Sequence, residues 1–328
     1  MGSGKGTVCG QQCCQRITGF SFGKKRVDPL NLKLMKELLL CLIFVFSAKT
    51  GFTQKVTNDF FTLHNIIRGD SVYNTFDKQV ELIKKAGFAG VEINQTESFE
   101  GMKAALDKNN FTGSYFYVKL RLDEPHVDPK LRLYIQQLKG SKTIIAPFIL
   151  NDSKKFKPSS READTLVIKL VREIGEWAKA SGLQVAIYPH LGYYVERTDH
   201  ALELVKKINQ KNVGLTFNLC HWLATTTAEE RSDLNPHLNE LKPYLKMITI
   251  SGANDVFSQQ KNVWEDYILP LGKGSFDTYG MVKYLVKDLG FKAPIGVQCY
   301  NIKGDKPELI KITTAAWKDY KVRIETGK

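Results

Sequence analysis

Two histidines each follow a hydrophobic run that is typical of a buried strand, so we expect each of them near the end of that strand. His190 follows the run 185–189, and His221 follows the run 213–219. An imidazole has an ordinary pKa of about 6.5, so it can remove a proton near neutral pH or bind a metal through a neutral nitrogen. Because the two runs are neighbours along the chain, we expect both rings to lie together and to act in catalysis. A hydrogen-bonded structural role is the alternative for either ring alone.

Other polar residues end further hydrophobic runs of the same kind. Glu92 could add a catalytic carboxylate. Lys119 or Arg68 could neutralise the oxyanion that forms when a proton next to a carbonyl is removed. We therefore predict His190, His221, Lys119 and Glu92 as catalytic residues. The predicted substrate-binding side chains are those of His64, Arg68, Tyr117, Tyr188, Asn218, Gln298 and Tyr300. The alternative is that Lys119 pairs with Asp123 or Glu124 and that the tyrosines only line a rim.

These residues fall into a repeating pattern of strands and helices. Apolar and β-branched runs predict eight strands at 60–64, 90–94, 112–120, 143–149, 183–189, 213–219, 246–251 and 294–300. Apolar residues at helical spacing predict helices at 76–86, 163–180, 201–208, 279–289 and 307–320. Alternating strands and helices indicate an α/β fold with a parallel sheet, and eight repeats favour a single-domain (β/α)8 barrel.

The barrel interpretation also predicts where chemistry occurs. In such a barrel the active site lies at the carboxyl ends of the strands, which is where the residues above stand. The alternative is an open doubly wound sheet. No GxGxxG phrase follows a strand, so the dinucleotide-binding signature of that alternative is missing from the sequence.

The first 54 residues have a different composition from the rest of the chain. A basic start at 35–37, an apolar run over 38–46 and small residues after it are typical of a secretory signal peptide over 35–54. The run is shorter than the roughly 20 residues that cross a bilayer, so we expect no stable membrane anchor. Residues 1–34 are interpreted as an upstream extension and 55–328 as the barrel. The protein is thus predicted to be exported, periplasmic or secreted; a buried core helix is the alternative.

The excess of basic residues suggests nucleic acid at first, but its distribution does not. The 328 residues carry a net charge of +13, and residues 1–54 hold eight basic and two acidic side chains, or +6 of it. The remaining +7 is spread over predicted helices, as solvated helix faces are, so we expect no nucleic-acid partner. Of six cysteines, only Cys220 and Cys299 lie beyond residue 54. Whether they form a disulfide cannot be deduced from the sequence.

Three phrases give the chain a resemblance to a known family. They are Gly-Phe-Ala-Gly-Val-Glu-Ile at 87–93, Tyr-Pro-His-Leu-Gly at 188–192 and Asn-Leu-Cys-His at 218–221. Together with the glycine-rich turn at 271–277, they resemble the xylose isomerase-like TIM barrels over residues 60–320. The resemblance implies sugar phosphate isomerases and epimerases, related dehydratases or DNA repair nucleases of the endonuclease IV type.

The resemblance also implies a metal site, and this sequence departs from it. Typical members hold one divalent metal with a Glu, an Asp, a His and a second Glu at the ends of strands five to eight. The matching positions here read Tyr188, Asn218, Thr249 or Ser251, and Gln298. Mg²⁺ and Mn²⁺ prefer anionic oxygen ligands, which this set lacks. The cofactor therefore stays open: a divalent metal would have to use His190, His221 and Glu92.

From these observations we predict an exported sugar isomerase or epimerase that removes a proton next to a carbonyl of a carbohydrate. A lyase acting on oxidised glycosides uses the same proton abstraction and is one alternative. A barrel that binds carbohydrate without turnover is another. A DNA repair nuclease is weakened by the predicted export and by the missing ligands. The expected partner is a small-molecule carbohydrate, and the oligomeric state stays open.

Overall fold

The architecture is a closed barrel of parallel strands. The structure is a computed structural model, and it describes residues 55–258 and 262–327. The strands are β1 (Phe60–Thr62), β2 (Gly90–Asn94), β3 (Gly113–Arg121), β4 (Ile144–Leu150), β5 (Gln184–Ile187), β6 (Val213–Asn218), β7 (Leu245–Ile250) and β8 (Ile295–Val297). Each strand pairs with the next, and β8 pairs with β1. The predicted (β/α)8 barrel is therefore confirmed, and the open sheet is wrong.

Helices cover the outside of the barrel. They are α1 (Phe76–Lys85), α2 (Gln95–Lys108), α3 (Leu131–Gln137), α4 (Asp164–Ala180), α5 (Thr198–Ile208), α6 (Leu219–Thr225), α7 (Ala228–Ser232), α8 (Leu234–Leu241), α9 (Trp264–Tyr267), α10 (Thr278–Lys283, continued by a π-turn at Tyr284–Asp288) and α11 (Lys306–Thr326). Short 3₁₀ turns lie at His64–Ile66 and Lys242–Tyr244. The five predicted helices fall on α1, α4, α5, α10 and α11.

Local sequence explains how the helices begin and end. The Thr75 hydroxyl caps α1, whose buried face carries Val80 and Ile83. The Asp305 carboxylate accepts the backbone N–H of Glu308 at 2.7 Å and so caps α11. The amphipathic face of each helix packs on the strands, and the apolar core therefore forms a ring between helices and barrel.

The barrel interior is a second packed layer. It is filled by inward-pointing apolar and aromatic side chains from the strands and their carboxyl ends: Phe61, Leu63, Tyr115, Ile144, Ala146, Phe148, Ala186, Tyr188 and Met247. A Cβ built on Gly296 of β8 would lie 2.3 Å from the Phe61 ring, so glycine there makes room for the aromatic plug. The interior below the carboxyl ends is therefore closed.

The predictions about the ends and cysteines have different outcomes. The predicted extension at 1–34 and signal peptide at 35–54 lie outside the described residues. Within 55–258 and 262–327, every helix is too short or too polar to cross a lipid bilayer. Cys220 and Cys299 are both buried and free, so the disulfide that the sequence left open does not form.

Candidate active site

A cavity of about 280 Å³ opens at the carboxyl ends of the strands. Eight predicted site residues line it: Arg68, Glu92, Tyr117, Tyr188, His190, His221, Gln298 and Tyr300. A larger groove of about 550 Å³ lies at the opposite end of the barrel, beside Thr112, Thr143 and Pro294. That end serves stability in this fold, whereas the carboxyl ends carry the chemistry. We therefore place the candidate site in the smaller cavity.

His190 and His221 form a ring pair on one wall of the cavity. Their centroids are 4.1 Å apart. The Nδ1 of His190 lies 2.8 Å from the carbonyl oxygen of Leu191, so this nitrogen carries a proton and donates it. The Nδ1 of His221 accepts the backbone N–H of the same Leu191 at 3.3 Å. One peptide residue thus fixes opposite tautomers: the Nε2 of His190 holds a lone pair, and the Nε2 of neutral His221 holds a proton.

The turn that carries Leu191 depends on a glycine. The N–H of Tyr193 bonds the carbonyl of His190 at 3.0 Å and closes the turn. Gly192 occupies its third position with φ +80°, a conformation that glycine adopts without steric cost. The phrase His-Leu-Gly therefore holds the Leu191 amide and carbonyl where both rings use them.

Burial keeps both rings neutral. Desolvation lowers the pKa of His190 to about 4, and burial beside His190 lowers the pKa of His221 well below its ordinary value. Tyr193 stacks on His190 with centroids 4.0 Å apart, and Trp264 meets His221 edge-on at 5.1 Å. The expectation of a histidine base near its ordinary pKa therefore differs from the structure, where these rings are weak bases and neutral hydrogen-bond partners. The buried Nε2 of His221 has no hydrogen-bond partner among the described residues.

Glu92 is the buried carboxyl group of the cavity wall. Its Oε2 accepts the backbone N–H of His64 at 2.8 Å, and its Oε1 accepts the Tyr115 hydroxyl at 2.8 Å and the Asn94 amide at 3.2 Å. Glu92 and Tyr115 are register partners on β2 and β3, which explains their contact. Desolvation raises the pKa of Glu92 above its ordinary value, against the lowering effect of these donors. A carboxyl of raised pKa is a stronger proton acceptor once ionised.

Strand order sets these groups on opposite walls. In a closed ring of eight strands, β2 lies across from β6 and β1 across from β5. Glu92 on β2 therefore faces His221 behind β6. Arg68, in the loop behind β1, faces His190 behind β5. A ligand in the cavity lies between a carboxyl and a cation on one side and two neutral imidazoles on the other.

Aromatic side chains form much of the remaining wall. Tyr117 stacks on Phe148 with centroids 4.1 Å apart, and its ring meets that of Tyr188 edge-on at 4.8 Å. Burial raises the pKa of both hydroxyls well above the ordinary value, so they stay protonated. Tyr300 is 46% exposed and stands at the mouth. Flat apolar rings with hydroxyl groups suit a sugar, which presents both C–H faces and hydroxyls.

Three predicted residues do not line the cavity. His64 is buried with its Nε2 at 2.7 Å from the Gln79 side-chain oxygen of α1, and burial lowers its pKa to about 4. Lys119 pairs with Glu97, and not with Asp123 or Glu124 as the alternative had it. Their predicted roles in catalysis and binding are left without a contact to the cavity wall.

Asn218 is the third, and it bears on the metal question. Its amide donates to the carbonyl of Pro189 at 2.9 Å, and its oxygen accepts the hydroxyls of Thr216 and Thr249, each at 2.9 Å. The Gln298 oxygen likewise accepts the Asn65 amide and the N–H of Tyr300. The positions where the resemblance implies metal ligands thus hold uncharged groups, and the side chains of Asn218, Thr249, Ser251 and Gln298 are engaged in hydrogen bonds to the protein.

The donor set does not fit a divalent metal of the family type. Across the described ranges, no three His, Cys, Asp or Glu side chains come together as a metal-binding group, so Glu92 does not join His190 and His221. Mg²⁺ and Mn²⁺ require anionic oxygens, and the one carboxyl present is committed to three protein donors. The chemistry proposed for this site therefore uses no metal.

Eight lining residues were not among the predicted site residues: Leu63, Asn65, Asn94, Gln95, Tyr115, Tyr193, Trp264 and Ile268. Tyr115 could have been found, because it lies two positions before Tyr117 in β3 and alternate strand residues share a face. Asn65 and Tyr193 lie in loops, and Trp264 opens the four-residue helix α9. Nothing in their local pattern predicts that they point to the cavity.

Comparison with known proteins agrees with this architecture. The family model for xylose isomerase-like TIM barrels matches residues 80–320. The fold is similar to that of the IOLI protein solved with a zinc atom, with TM-score 0.61 and 16% identity over 81% of this chain and 98% of that one. It is also similar to 3-keto-D-glucoside 4-epimerase from E. coli, with TM-score 0.61 and 14% identity over 79% and 98%.

A third similar structure is D-allulose 3-epimerase from Methylomonas sp., with TM-score 0.60 and 14% identity over 81% of this chain and 98% of that one. At these identities the likeness shows the fold alone. No curated protein matches the sequence significantly.

Proposed function

The chain belongs to the xylose isomerase-like TIM barrel family, and on that premise we propose that it is a sugar isomerase or epimerase-like enzyme. One observation carries the proposal: a buried carboxyl, Glu92, faces the imidazole N–H of His221, which has no partner in the described part of the chain, across a cavity lined with tyrosines. Proton removal next to a carbonyl needs a base on one side of the substrate and a hydrogen-bond donor at the oxygen.

Glu92 is the proposed base. Its ionised carboxylate takes the proton from the carbon next to the carbonyl, and the C–H electron pair becomes the double bond of an enediolate. The carbonyl π electrons move to the oxygen, which becomes negatively charged. The protonated Glu92 then gives its proton to the former carbonyl carbon, while the hydroxyl on the adjacent carbon passes its proton to the oxyanion and becomes the new carbonyl, which gives the isomer. The raised pKa of Glu92 favours this work, because a buried carboxylate with few waters is a better proton acceptor.

The histidines act as neutral partners in this scheme. His221 donates its Nε2–H to the oxygen on which charge develops, and this donor is already oriented by the Leu191 amide. His190 offers its Nε2 lone pair to a hydroxyl of the sugar, since its Nδ1 proton is held by the Leu191 carbonyl. A ring whose pKa is about 4 stays uncharged at neutral pH and does not deliver a proton.

The carbohydrate class follows from the wall of the cavity and from the proteins of similar fold. Tyr117, Tyr188 and Tyr300 offer flat faces and hydroxyls to a single small polar molecule. Two of the proteins of similar fold are named as sugar epimerases, one for a 3-keto-D-glucoside and one for D-allulose. We propose a free or glycosidically linked sugar as substrate.

A second candidate, a barrel that binds carbohydrate without turnover, is favoured by a different observation. The positions of Tyr188, Asn218 and Gln298, where the family resemblance implies charged ligands, are neutral. A lyase acting on oxidised glycosides stays open as well, because β-elimination begins with the same proton abstraction. The products of the reaction distinguish these possibilities.

We also propose that the protein is exported, on the strength of the apolar run 38–46 and its basic and small flanks. Expression of the full chain followed by amino-terminal sequencing of the secreted or periplasmic form tests this. A new terminus between residues 48 and 55 is expected. Retention of residues 35–54 on a cytoplasmic protein would refute export without touching the proposed chemistry.

The decisive experiment follows turnover by NMR with a panel of aldoses, ketoses and 3-keto-glycosides, in H₂O and in D₂O. Wild type is expected to interconvert at least one pair, and Glu92→Gln to lose about 10²–10⁴-fold in kcat, the range for general base catalysis. Glu97→Gln is the matched control, because Glu97 pairs with Lys119 outside the cavity. Binding without any product would favour the second candidate, and an unsaturated product would favour the lyase.

The D₂O arm tests the single-base scheme. If Glu92 both removes and returns the proton, some product retains the substrate's own hydrogen at the neighbouring carbon. Complete deuterium incorporation from the first turnover would instead mean that the proton on Glu92 exchanges with solvent before its return or that another group delivers it.

A further inference from the structure

Arg68 supplies a positive charge beside the cavity. Its backbone is fixed, because its N–H bonds the His64 carbonyl at 2.9 Å and its carbonyl accepts the Lys306 ammonium. Its guanidinium lines the cavity and forms no hydrogen bond or ion pair with any residue in the described ranges. A planar guanidinium with five donors is built to bind the two oxygens of a carboxylate side by side.

The neighbouring acidic groups form no ion pair with this cation in the described residues, although its charge acts to lower the pKa of Glu92. Glu92 is the one carboxyl among the cavity-lining residues, and its oxygens already accept from His64, Tyr115 and Asn94. Asp70, two residues further along, uses its Oδ1 for the N–H groups of Val72 and Tyr73.

Positive charge accumulates on this side. The Lys306 ammonium adds a second charge beside the Arg68 carbonyl, at the start of α11. The carboxylate of Asp305, which caps the start of α11, is already engaged with the backbone N–H of Glu308. The wall behind β1 is therefore electropositive and open to an anion from the cavity.

The opposite wall offers donors without charge. His221 presents a buried Nε2–H that has no partner among the described residues, and His190 beside it is neutral as well. An anionic group of the ligand gains nothing there from charge, whereas a carbonyl or hydroxyl oxygen gains a hydrogen bond. The two walls therefore favour different chemical groups of a ligand: an anion at the wall of Arg68 and a neutral oxygen at the wall of His221.

We propose that the substrate is an acidic sugar, whose carboxylate is bound by the guanidinium of Arg68 while its carbonyl end lies at the His221 N–H. The proposal rests on the proposed function and adds the substrate class to it. It also assigns Arg68 to recognition rather than to the oxyanion, because Arg68 lies behind β1 and the oxyanion donor behind β6. Arg68 is the one arginine or lysine among the described residues that line the cavity, and Lys306 is not one of them, so the site suits the single charge of a carboxylate better than the double charge of a phosphate.

The test compares sugars that differ only in this group. Calorimetry measures binding of D-galacturonate against D-galactose, and of D-glucuronate against D-glucose, with glucose 6-phosphate as a third anion. We expect at least one uronate to bind about tenfold to hundredfold more tightly than its neutral partner, the range for a hydrogen-bonded charge pair. Added salt is expected to weaken the uronate alone.

Variants locate the effect. Arg68 is exposed, so Arg68→Gln is expected to fold; it should reduce the affinity for the uronate to that for its neutral partner. Arg68→Lys, which keeps the charge and loses the fork, should retain part of the preference. Lys303→Gln is the matched control, because it removes one exposed positive charge from the loop behind β8 and should leave the preference intact.

Each outcome decides the matter. Equal binding of both members of each pair, a preference that survives Arg68→Gln, or tighter binding of the phosphate would overturn the proposal. Uronate preference without product would support acid recognition while refuting the isomerase. Turnover of neutral sugars with no acid preference would refute acid recognition and leave the isomerase standing.

Discussion

Replacing His190 with phenylalanine is expected to make the protein less stable at neutral pH and more stable in acid. The wild-type ring is neutral in the folded state with a pKa of about 4, against about 6.5 for an unfolded chain. A pKa lowered by folding contributes stability that is present above pH 6.5 and is lost as the pH falls toward 4. At pH 5 the loss is 1.5 pH units, or roughly 2 kcal/mol at 1.36 kcal/mol per unit.

The phenylalanine variant lacks this titration but also lacks one hydrogen bond. Phenylalanine keeps the stack on Tyr193 and loses the donor to the Leu191 carbonyl, which costs about 1 kcal/mol at pH 7. The two effects balance where the wild-type loss also reaches about 1 kcal/mol, so the stability curves should cross near pH 6.

Urea unfolding followed by tryptophan fluorescence, between pH 5 and 7.5, measures this crossing. Tyr193→Phe is the control: it keeps His190 and has no group that titrates in this range, so its curve should run parallel to that of the wild type. Parallel curves for the His190→Phe protein and the wild type would refute the reasoning, because they would mean that burial does not hold the ring neutral.

Three further predictions test other parts of the site. Glu92→Gln should gain stability relative to the wild type as the pH rises above about 4.5, because a carboxyl whose pKa is raised by folding loses stability through that window; denaturation at several pH values measures it. Gly192→Ala should destabilise by about 1–2 kcal/mol, the cost of a left-handed backbone, and lower kcat by displacing the Leu191 peptide. Removal of divalent metal with a chelator should leave turnover unchanged, and added Mn²⁺ should not raise Tm, since the family-type ligand positions are uncharged and Glu92 already accepts three hydrogen bonds from the protein.

The sequence predicted the barrel well because its strands are buried on both faces and therefore stand out as apolar runs. Helix α2 was missed for the opposite reason. It follows β2 without a loop, has Gly101 in its middle and buries only Phe99, Met102, Ala105 and Leu106. Short helices such as α7 and α9 are too brief to show a periodic apolar signal; α7 buries none of its residues and begins at a capping box between Thr227 and Glu230.

The site was predicted in part, and the misses have a geometric reason. Tyr188, His190 and Gln298 were found because the carboxyl ends of parallel strands meet in one place. His64 lies past the end of β1 in a 3₁₀ turn, where the alternation of a strand no longer holds, and its ring turns back to Gln79. The burial that lowers the pKa of His190 comes from Tyr193 and from Trp264, and the packing of α9 against the pair could not be predicted from local pattern.

The missing carboxylates and the two neutral histidines depend on one another. A carboxylate at position 218 would face the Pro189 carbonyl that the Asn218 amide now donates to, and it would stand beside His221 in a site with little water. Negative charge there would raise the pKa of His221 and favour the imidazolium. A protonated Nδ1 of His221 could not accept the Leu191 N–H, so the hydrogen bond that orients the His221 ring would be lost. The uncharged ends of β5, β6 and β8 are therefore a condition for the donor and acceptor pair, and they leave Arg68 as the cation that a substrate meets.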